Sequence, residues 1–373
     1  MSIIKGSALS MKKIKVLQVI GGLNMGGAET FIINVFRNID REKYEFYFLC
    51  YGKSKYDYED EVNKLNGHII RMDKIRMKNV FKQMHRLKKI IKGYNIDIIH
   101  THTYYNSMIP VLVAHNCKLN KIIVHAHSTL SEINPTILKK LYYKISKLII
   151  NKYSTDLIAC GKEAGDSIYY KKYEIIENGI NLNNFYFKKE IYAKKRKELN
   201  ISLDTTVIGH VGRFCEAKNH KFILEIFAEY LKINSNAILL LIGDGPLKND
   251  IVELAQQLKI LSHIKILSKR YDVNELYSAM DLFIFPSLYE GIPLVLIEAQ
   301  ANGLPIIASN KIDKDVNISK KVIFKPLNYA SKKEWVAIIE NEKGKRYNCK
   351  KTLESSAYNM KKNIDIIEKK YSI

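Results

Sequence analysis

A chain of 373 residues exceeds what one hydrophobic core ordinarily supports, and its 47% hydrophobic and 26% charged residues form a globular mixture, so two domains are expected. Sixty Lys and Arg against thirty-eight Asp and Glu leave a net charge of +22, which draws anionic partners: phosphorylated substrates, anionic lipid headgroups or nucleic acid. No apolar run approaches the roughly 18 residues that span a bilayer, Met1 to Met11 carries no secretory pattern, and Cys50, Cys117, Cys160, Cys215 and Cys349 lack CxxC spacing. Transmembrane, disulfide-framework and zinc-ribbon classes are therefore set aside, and a reduced, cytoplasmic protein is expected.

Short β-branched runs alternate with amphipathic stretches from the start. Ile14 to Ile20 reads as a buried strand, followed by a glycine turn and a helix starting near Ala28. Tyr44 to Tyr51, His68 to Met72, Ile96 to Thr101, Lys121 to Ala126, Asp156 to Cys160 and Tyr173 to Glu177 read as further strands, with helical segments at Val80 to Tyr94 and Thr136 to Tyr153. Asn178 to Asn184 has turn chemistry and serves as a linker. The rhythm then restarts with a charged helix at Lys188 to Leu199 and strands at Thr205 to Val211, Ala237 to Ile242, His263 to Leu267, Leu282 to Phe285 and Pro305 to Ser309. Asn359 to Tyr371 reads as a final amphipathic helix. The expected fold is α/β: two Rossmann-like domains, residues 1–184 and 185–356, facing across a cleft, with the terminal helix of 357–373 crossing back to the first domain.

Motifs in such folds belong at the carboxyl ends of strands. The first strand runs into Gly21-Gly22-Leu23-Asn24-Met25-Gly26-Gly27-Ala28-Glu29, where glycines admit a ligand to the backbone and the next helix offers free N–H groups to an anion. A dinucleotide oxidoreductase would show GxGxxG and an acid after the second strand, but that strand ends Cys50-Tyr51-Gly52. The plain alternative is a tight βα turn, with Glu29 simply favouring the helix N-terminus. His125-Ala126-His127-Ser128 puts two imidazoles on one strand face, suited to a sugar hydroxyl or a metal, although no third ligand stands at useful spacing. His100 and His102 repeat the arrangement one strand earlier.

In the second half, Gly209-His210-Val211-Gly212-Arg213-Phe214 with Lys218 sets two cations beside a glycine turn, a clamp for a diphosphate. Phe285 to Ala299 contains Glu290 in a strand-to-helix loop and Glu298 eight residues on. A helix starting near Gly291 would return the two carboxylates to nearly the same face, where each accepts hydrogen bonds from sugar or ribose hydroxyls. Solvated helix and cap acids are the plain alternative for this pair.

The GRF…K element, the EGIPLVLIE segment, the N-terminal GGAE and the HAHS strand end occur in one order. Together they resemble the GT-B retaining glycosyltransferases of family 4, particularly the bacterial exopolysaccharide and capsule enzymes, over roughly Ile14 to Asn310. The resemblance implies that Arg213 and Lys218 hold the diphosphate of a nucleotide sugar, that Glu290 contacts the transferred sugar, and that Glu298 contacts the ribose. Gly26 and Gly27 would lie beside the phosphates and acceptor, with His127 against the donor sugar. It also implies transfer of a hexose from a UDP-linked donor, with retention, to a lipid-linked glycan, and no metal or other cofactor. Asp313-Lys314-Asp315 is then a solvated turn rather than a metal motif. The chain departs from the pattern at Glu177-Asn178-Gly179-Ile180-Asn181, at Ser268 to Asp272, which lacks the usual glycine, and after Asn310, where a glycine-rich turn with its glutamate is missing.

Phe81 to Lys92 and Thr136 to Lys152 interleave apolar residues with Lys82, His85, Arg86, Lys88, Lys89, Lys139, Lys140, Lys144 and Lys147. Such helices suit peripheral docking on the anionic inner face of the cell membrane, at about 1 kcal/mol per basic residue. Ordinary sheet-covering helices with solvated outer faces are the alternative. Two rival functions use the same composition: a nucleotide-sugar epimerase of the same fold, and a basic nucleic-acid-binding protein. The second is disfavoured because the twenty-four tyrosines are dispersed rather than interleaved with cations in a binding module.

Overall fold

The structure, a computed structural model, describes residues 12–24, 26–128, 135–268 and 270–373. Met1 to Met11, Met25 of the glycine turn and Lys269 of the segment after residue 267 lie outside the described residues. The chain forms two compact units, one of Met1–Gly179 with Met360–Ile373 and one of Ile180–Asn359. The division falls at 179/180 and 359/360 rather than at 184/185 and 356/357.

The first unit holds seven strands: β1 (Ile14–Ile20), β2 (Tyr44–Tyr51), β3 (His68–Met72), β4 (Ile98–Thr101), β5 (Lys121–Ala126), β6 (Asp156–Ala159) and β7 (Glu174–Ile175). Between them run helices α1 (Gly27–Asn38), α2 (Glu59–Lys64), α3 (Val80–Gly93), α4 (Met108–Asn116), α5 (Ile137–Tyr153) and α6 (Lys162–Ile168). The second unit begins with α7 (Lys189–Glu198) and contains β8 (Thr206–Val211), β9 (Ala237–Ile242), β10 (Ile264–Leu267), β11 (Leu282–Phe285), β12 (Ile306–Ser309) and β13 (Val322–Lys325). Its other helices are α8 (His220–Leu231), α9 (Lys248–Gln257), α10 (Val273–Ala279), α11 (Leu294–Asn302), α12 (Lys332–Glu342) and α13 (Lys350–Ser355). The last helix, α14 (Met360–Tyr371), belongs to the first unit.

Every strand pair is parallel, and the sheet orders are β3-β2-β1-β4-β5-β6-β7 and β10-β9-β8-β11-β12-β13. Parallel sheets are covered on both faces, so central strands are apolar throughout rather than alternating. In β8, β9 and β11, residues such as Ile208, Leu239, Leu241 and Phe283 are fully buried. Two apolar layers flank each sheet: in the first unit, Val16, Phe31 and Phe46 pack with Ile364, Ile367 and Tyr371 of α14 on one side. Leu17, Val19, Leu87 and Ile150 form the other. The second unit has the same plan, with Leu240, Phe285 and Leu296 on one side and Leu241, Phe227 and Trp335 on the other.

The order of each sheet reverses once, between β1 and β4 in the first unit and between β8 and β11 in the second. At such a reversal the connections leave toward opposite faces, and a crevice opens at the carboxyl ends of the two strands.

Candidate functional site

At the β8/β11 crevice, β8 ends at Val211 and its turn runs through Gly212 and Arg213 to Lys218, while β11 ends at Phe285 and its loop carries Glu290. Adjacency of the two strands brings loops seventy residues apart into contact: Lys218 Nζ donates to Glu290 Oε1 at 2.5 Å, and each side chain is 15% exposed. The ammonium also lies 4.7 Å from the centre of the Phe285 ring. Glycine is required around this cation. A Cβ on Gly212 would meet Lys218 Cδ and Cε at 3.2 Å, and one on Gly243 (φ +148°) would stand 2.0 Å from the Gly212 carbonyl oxygen. Arg213 is exposed and has no hydrogen-bond or ion-pair partner among the described residues. A rigid fork of donors thus stands unengaged beside a half-neutralised lysine, an arrangement able to take an anion.

Glu298 lies elsewhere than sequence spacing suggested. The helix begins at Leu294 behind Pro293, not near Gly291, so Glu290 is in the loop and the two carboxylates do not share a helical face. Proline at 293 and the extended backbone there delay the helix by three residues. Glu298 accepts instead from Tyr277 Oη of α10 at 2.7 Å. Although the residue keeps some exposed area, its carboxyl is enclosed, and burial raises it to about 7 against the opposing pull of the tyrosine hydroxyl.

At the β1/β4 crevice, α1 starts directly after Gly26, whose backbone is extended, and Glu29 occupies the first turn. The space beside Gly27 is open as far as Asn178 Nδ2, 3.8 Å from where a Cβ would stand. Burial raises the Glu29 carboxyl. His127 follows the last residue of β5, and its ring lies 4.0 Å from that of His125, stacked. Sequence spacing offered no third imidazole, but parallel pairing of β4 with β5 supplies two. One ring nitrogen from each of His100, His102 and His125 lies within 4.8 Å of the others. Burial lowers His127 to about 4, with the Asn178 side chain opposing it, and holds His102 and His125 well below the usual imidazole range. All are neutral near pH 7. Gln18 and Tyr371, which sequence reading did not single out, hydrogen-bond into this cluster. Gln18 sits within an apolar strand, and a buried amide on β1, beside the histidine strand β4, was the signal available.

A cavity of about 1140 Å³ opens from this crevice, with Gly21, Glu29 and His102 at one end and Met77, Leu141 and Ile145 among its apolar walls. Asp313 and Asp315 are exposed, and Asp313 caps the Asp315 amide at 2.9 Å, the chemistry of a turn. The five cysteines are free.

Two parallel α/β units, the first gathering glycines, an acid and neutral histidines and the second glycines, cations and acids at the point where the strand order reverses, define a glycosyltransferase of the GT-B type. The family model for Glycosyltransferase Family 4 matches residues 25–184, and that for Glycosyl transferases group 1 matches residues 192–355. The chain is 30% identical over 375 residues to the putative glycosyltransferase EpsF of Bacillus subtilis, with 96% of both chains covered. It is 26% identical, over 80% of each chain, to the UDP-Gal:alpha-D-GlcNAc-diphosphoundecaprenol alpha-1,3-galactosyltransferase of Escherichia coli. Its fold is that of Anabaena HepE, solved in complex with UDP and glucose, at a TM-score of 0.75 and 16% identity over 96% of this chain and 100% of that one. The chain belongs to the family 4 glycosyltransferases.

Proposed function

We propose that this transferase moves a hexose from a UDP-linked donor to a hydroxyl of a lipid-linked glycan, in polysaccharide or capsule synthesis, with retention of anomeric configuration. The observation that carries the reading is the β8/β11 cluster, where unpaired Arg213 stands beside the Lys218–Glu290 pair. The donor diphosphate fits the Arg213 fork, and Lys218, with three protons, can take a phosphate oxygen while retaining Glu290. As the sugar–phosphate bond breaks, negative charge builds on the leaving diphosphate, and these fixed cations stabilise it. Glu290 is then the acid beside the transferred sugar, and Glu298 accepts from the ribose hydroxyls.

In the first unit, Gly27 leaves room for phosphates and acceptor, Gly26 lets the Glu29 carboxylate approach the turn, and His127 accepts from a hydroxyl of the transferred sugar. The acceptor and its linkage to lipid are supported by the activity for which the E. coli relative is named and by the apolar-walled cavity. We infer a metal-independent reaction, because both nitrogens of His102 are engaged by Gln18 and His127 and the Asp313 carboxylate accepts from the Asp315 amide. Peripheral membrane docking at the inner leaflet is supported by α5, whose Ile137 and Leu138 are 84% and 79% exposed among lysines. Among the described residues no helix is long and apolar enough to cross a membrane.

The test is a thermal-shift panel of nucleotide sugars on wild type, Arg213→Ala and Glu298→Ala, followed by product analysis with and without acceptor. Wild type should be stabilised by UDP-sugars and the variants much less. Indifference of wild type to every nucleotide sinks the reading, and conversion of donor to an isomeric nucleotide sugar without acceptor replaces it with an epimerase.

A further inference from the structure

We propose that Gln18 and Tyr371 are positioning residues that, acting through His102, hold His127 as its Nε2–H tautomer and leave its Nδ1 a bare acceptor. The direction of each hydrogen bond follows from one amide. Gln18 Nε2 donates to Tyr371 Oη at 2.8 Å, which turns Gln18 Oε1 toward His102 Nε2, also at 2.8 Å. A carboxamide oxygen only accepts, so His102 Nε2 carries the proton. Buried neutral imidazole has a single proton, so His102 Nδ1 is a lone pair. The ring nitrogen facing it at 2.9 Å is His127 Nε2, which must therefore be the donor. Neutral His127 then has nothing left on Nδ1 but a lone pair, and that nitrogen makes no hydrogen bond within 3.5 Å among the described residues, the Asn178 side chain acting on the ring only weakly.

The origin of the chain is Tyr371, at the last turn of α14 and fully buried. Its oxygen accepts from Gln18, and its own proton is available to His100 Nδ1 at 2.7 Å. Gln18, 1% exposed in the middle of β1, joins the tyrosine to the histidine through the two ends of one amide, and the orientation of that amide sets the direction of both bonds. A residue 353 positions from Gln18 thus fixes the proton on the histidine that follows β5.

The chemical consequence rests on the assignment of His127 to the transferred sugar. A bare lone pair takes the proton of a hydroxyl and repels a carboxylate, so the site selects a neutral hexose over a hexuronic acid at that contact.

The experiment uses full-length protein labelled with ¹⁵N-histidine, and reads ring tautomers by long-range ¹H–¹⁵N correlation without any ligand. Wild-type His127, assigned by its loss in His127→Ala, is expected to be protonated on Nε2 alone. Gln18→Leu removes the acceptor and should turn His127 into a tautomer mixture. Gln18→Glu, which accepts from His102 through a carboxylate, should restore Nε2–H. Tyr371→Phe, which removes the anchor of the amide, is read in place of Gln18→Leu if the latter gives no dispersed spectrum. In turnover of a UDP-hexose, Gln18→Leu should lose about tenfold or more in kcat with UDP affinity unchanged. Nδ1–H on wild-type His127, or an unaltered Nε2–H in both Gln18→Leu and Tyr371→Phe, overturns the proposal. The expected tautomers in a protein that turns over no UDP-hexose leave the relay standing and refute the transferase assignment instead.

Discussion

The carboxyl of Glu298 is held at about 7 by burial, while an unfolded glutamate titrates near 4.5. Between those values the folded chain keeps a proton that the unfolded chain has lost, so stability falls as pH rises through the window, and the full cost is present above 7. Two and a half units at about 1.4 kcal/mol each set that cost at about 3 kcal/mol. Glu298→Gln, which resembles the protonated acid, should therefore melt above wild type at pH 8 and level with it at pH 4.5, while binding UDP roughly tenfold more weakly. Melts at the two pH values beside calorimetric UDP titrations check this; equal melting temperatures at pH 8 would contradict a buried, raised carboxyl. Such a group is poorly placed for stability, as expected where a ligand's hydroxyls complete the hydrogen bonding. Sequence exposed Arg213, Lys218 and Glu290 because each follows a legible strand within a few residues. It could not show that Lys218 meets Glu290, nor that Glu298 turns to Tyr277, since both depend on which strands are neighbours. Gln18 offered only an amide within an apolar strand and Tyr371 no signal at all, since their pairing exists only through contact across most of the chain.

At the scale of elements, strands buried on both faces announce themselves as apolar runs, and β1, β2, β3, β5, β9 and β11 begin and end at the residues read from sequence. The edge strand β13 was missed because its apolar run, Val322 to Phe324, is only three residues long between lysines and is largely half-buried. Arg196 on α7 shows how a charged helix can still be a core element. Its fork is fully buried, donating to Asp281 Oδ2 at 2.6 Å, to Thr205 O at 2.7 Å and to Ala279 O at 3.1 Å. Arg196→Ala removes the ion pair of Asp281 and the side-chain donor to four carbonyls, those of Ser202, Leu203, Thr205 and Ala279, so a loss of about 3–5 kcal/mol in urea unfolding is expected, with Arg196→Lys recovering little. A loss under about 1 kcal/mol would mean the pair is bridged by water. The helix α5 poses the opposite case. Its Ile137, Leu138, Leu141, Ile145 and Leu148 are exposed along one stripe, which a plain sheet-covering helix would bury. Leu138→Asp with Leu141→Asp should abolish sedimentation with anionic vesicles while leaving UDP binding intact. Unchanged sedimentation would assign the stripe to something other than lipid.

At the scale of the molecule, two units with their own sheets and cores were legible from the restart of the strand–helix rhythm, and the return of the terminal helix to the first unit was expected too, though not the contacts that hold it there. The second unit is contiguous, Ile180–Asn359, whereas the first needs both Met1–Gly179 and the final Met360–Ile373. Met360, Ile364, Ile367 and Tyr371 are buried against Phe46 and Val16, and Asn363 Nδ2 donates to Glu177 O at 2.7 Å. Removing them uncovers apolar surface worth roughly 1.5–3 kcal/mol for each large side chain and leaves Gln18 and His100 without their tyrosine. Truncation after Asn359 should therefore act on one unit alone. In calorimetry, the transition that UDP raises, assigned to the unit carrying Arg213 and Lys218, is expected to stay within about 2 °C of its full-length value. The other should fall by about 10 °C or vanish. A uniform fall of both transitions would show that α14 stabilises the molecule as a whole rather than the unit whose sheet it covers.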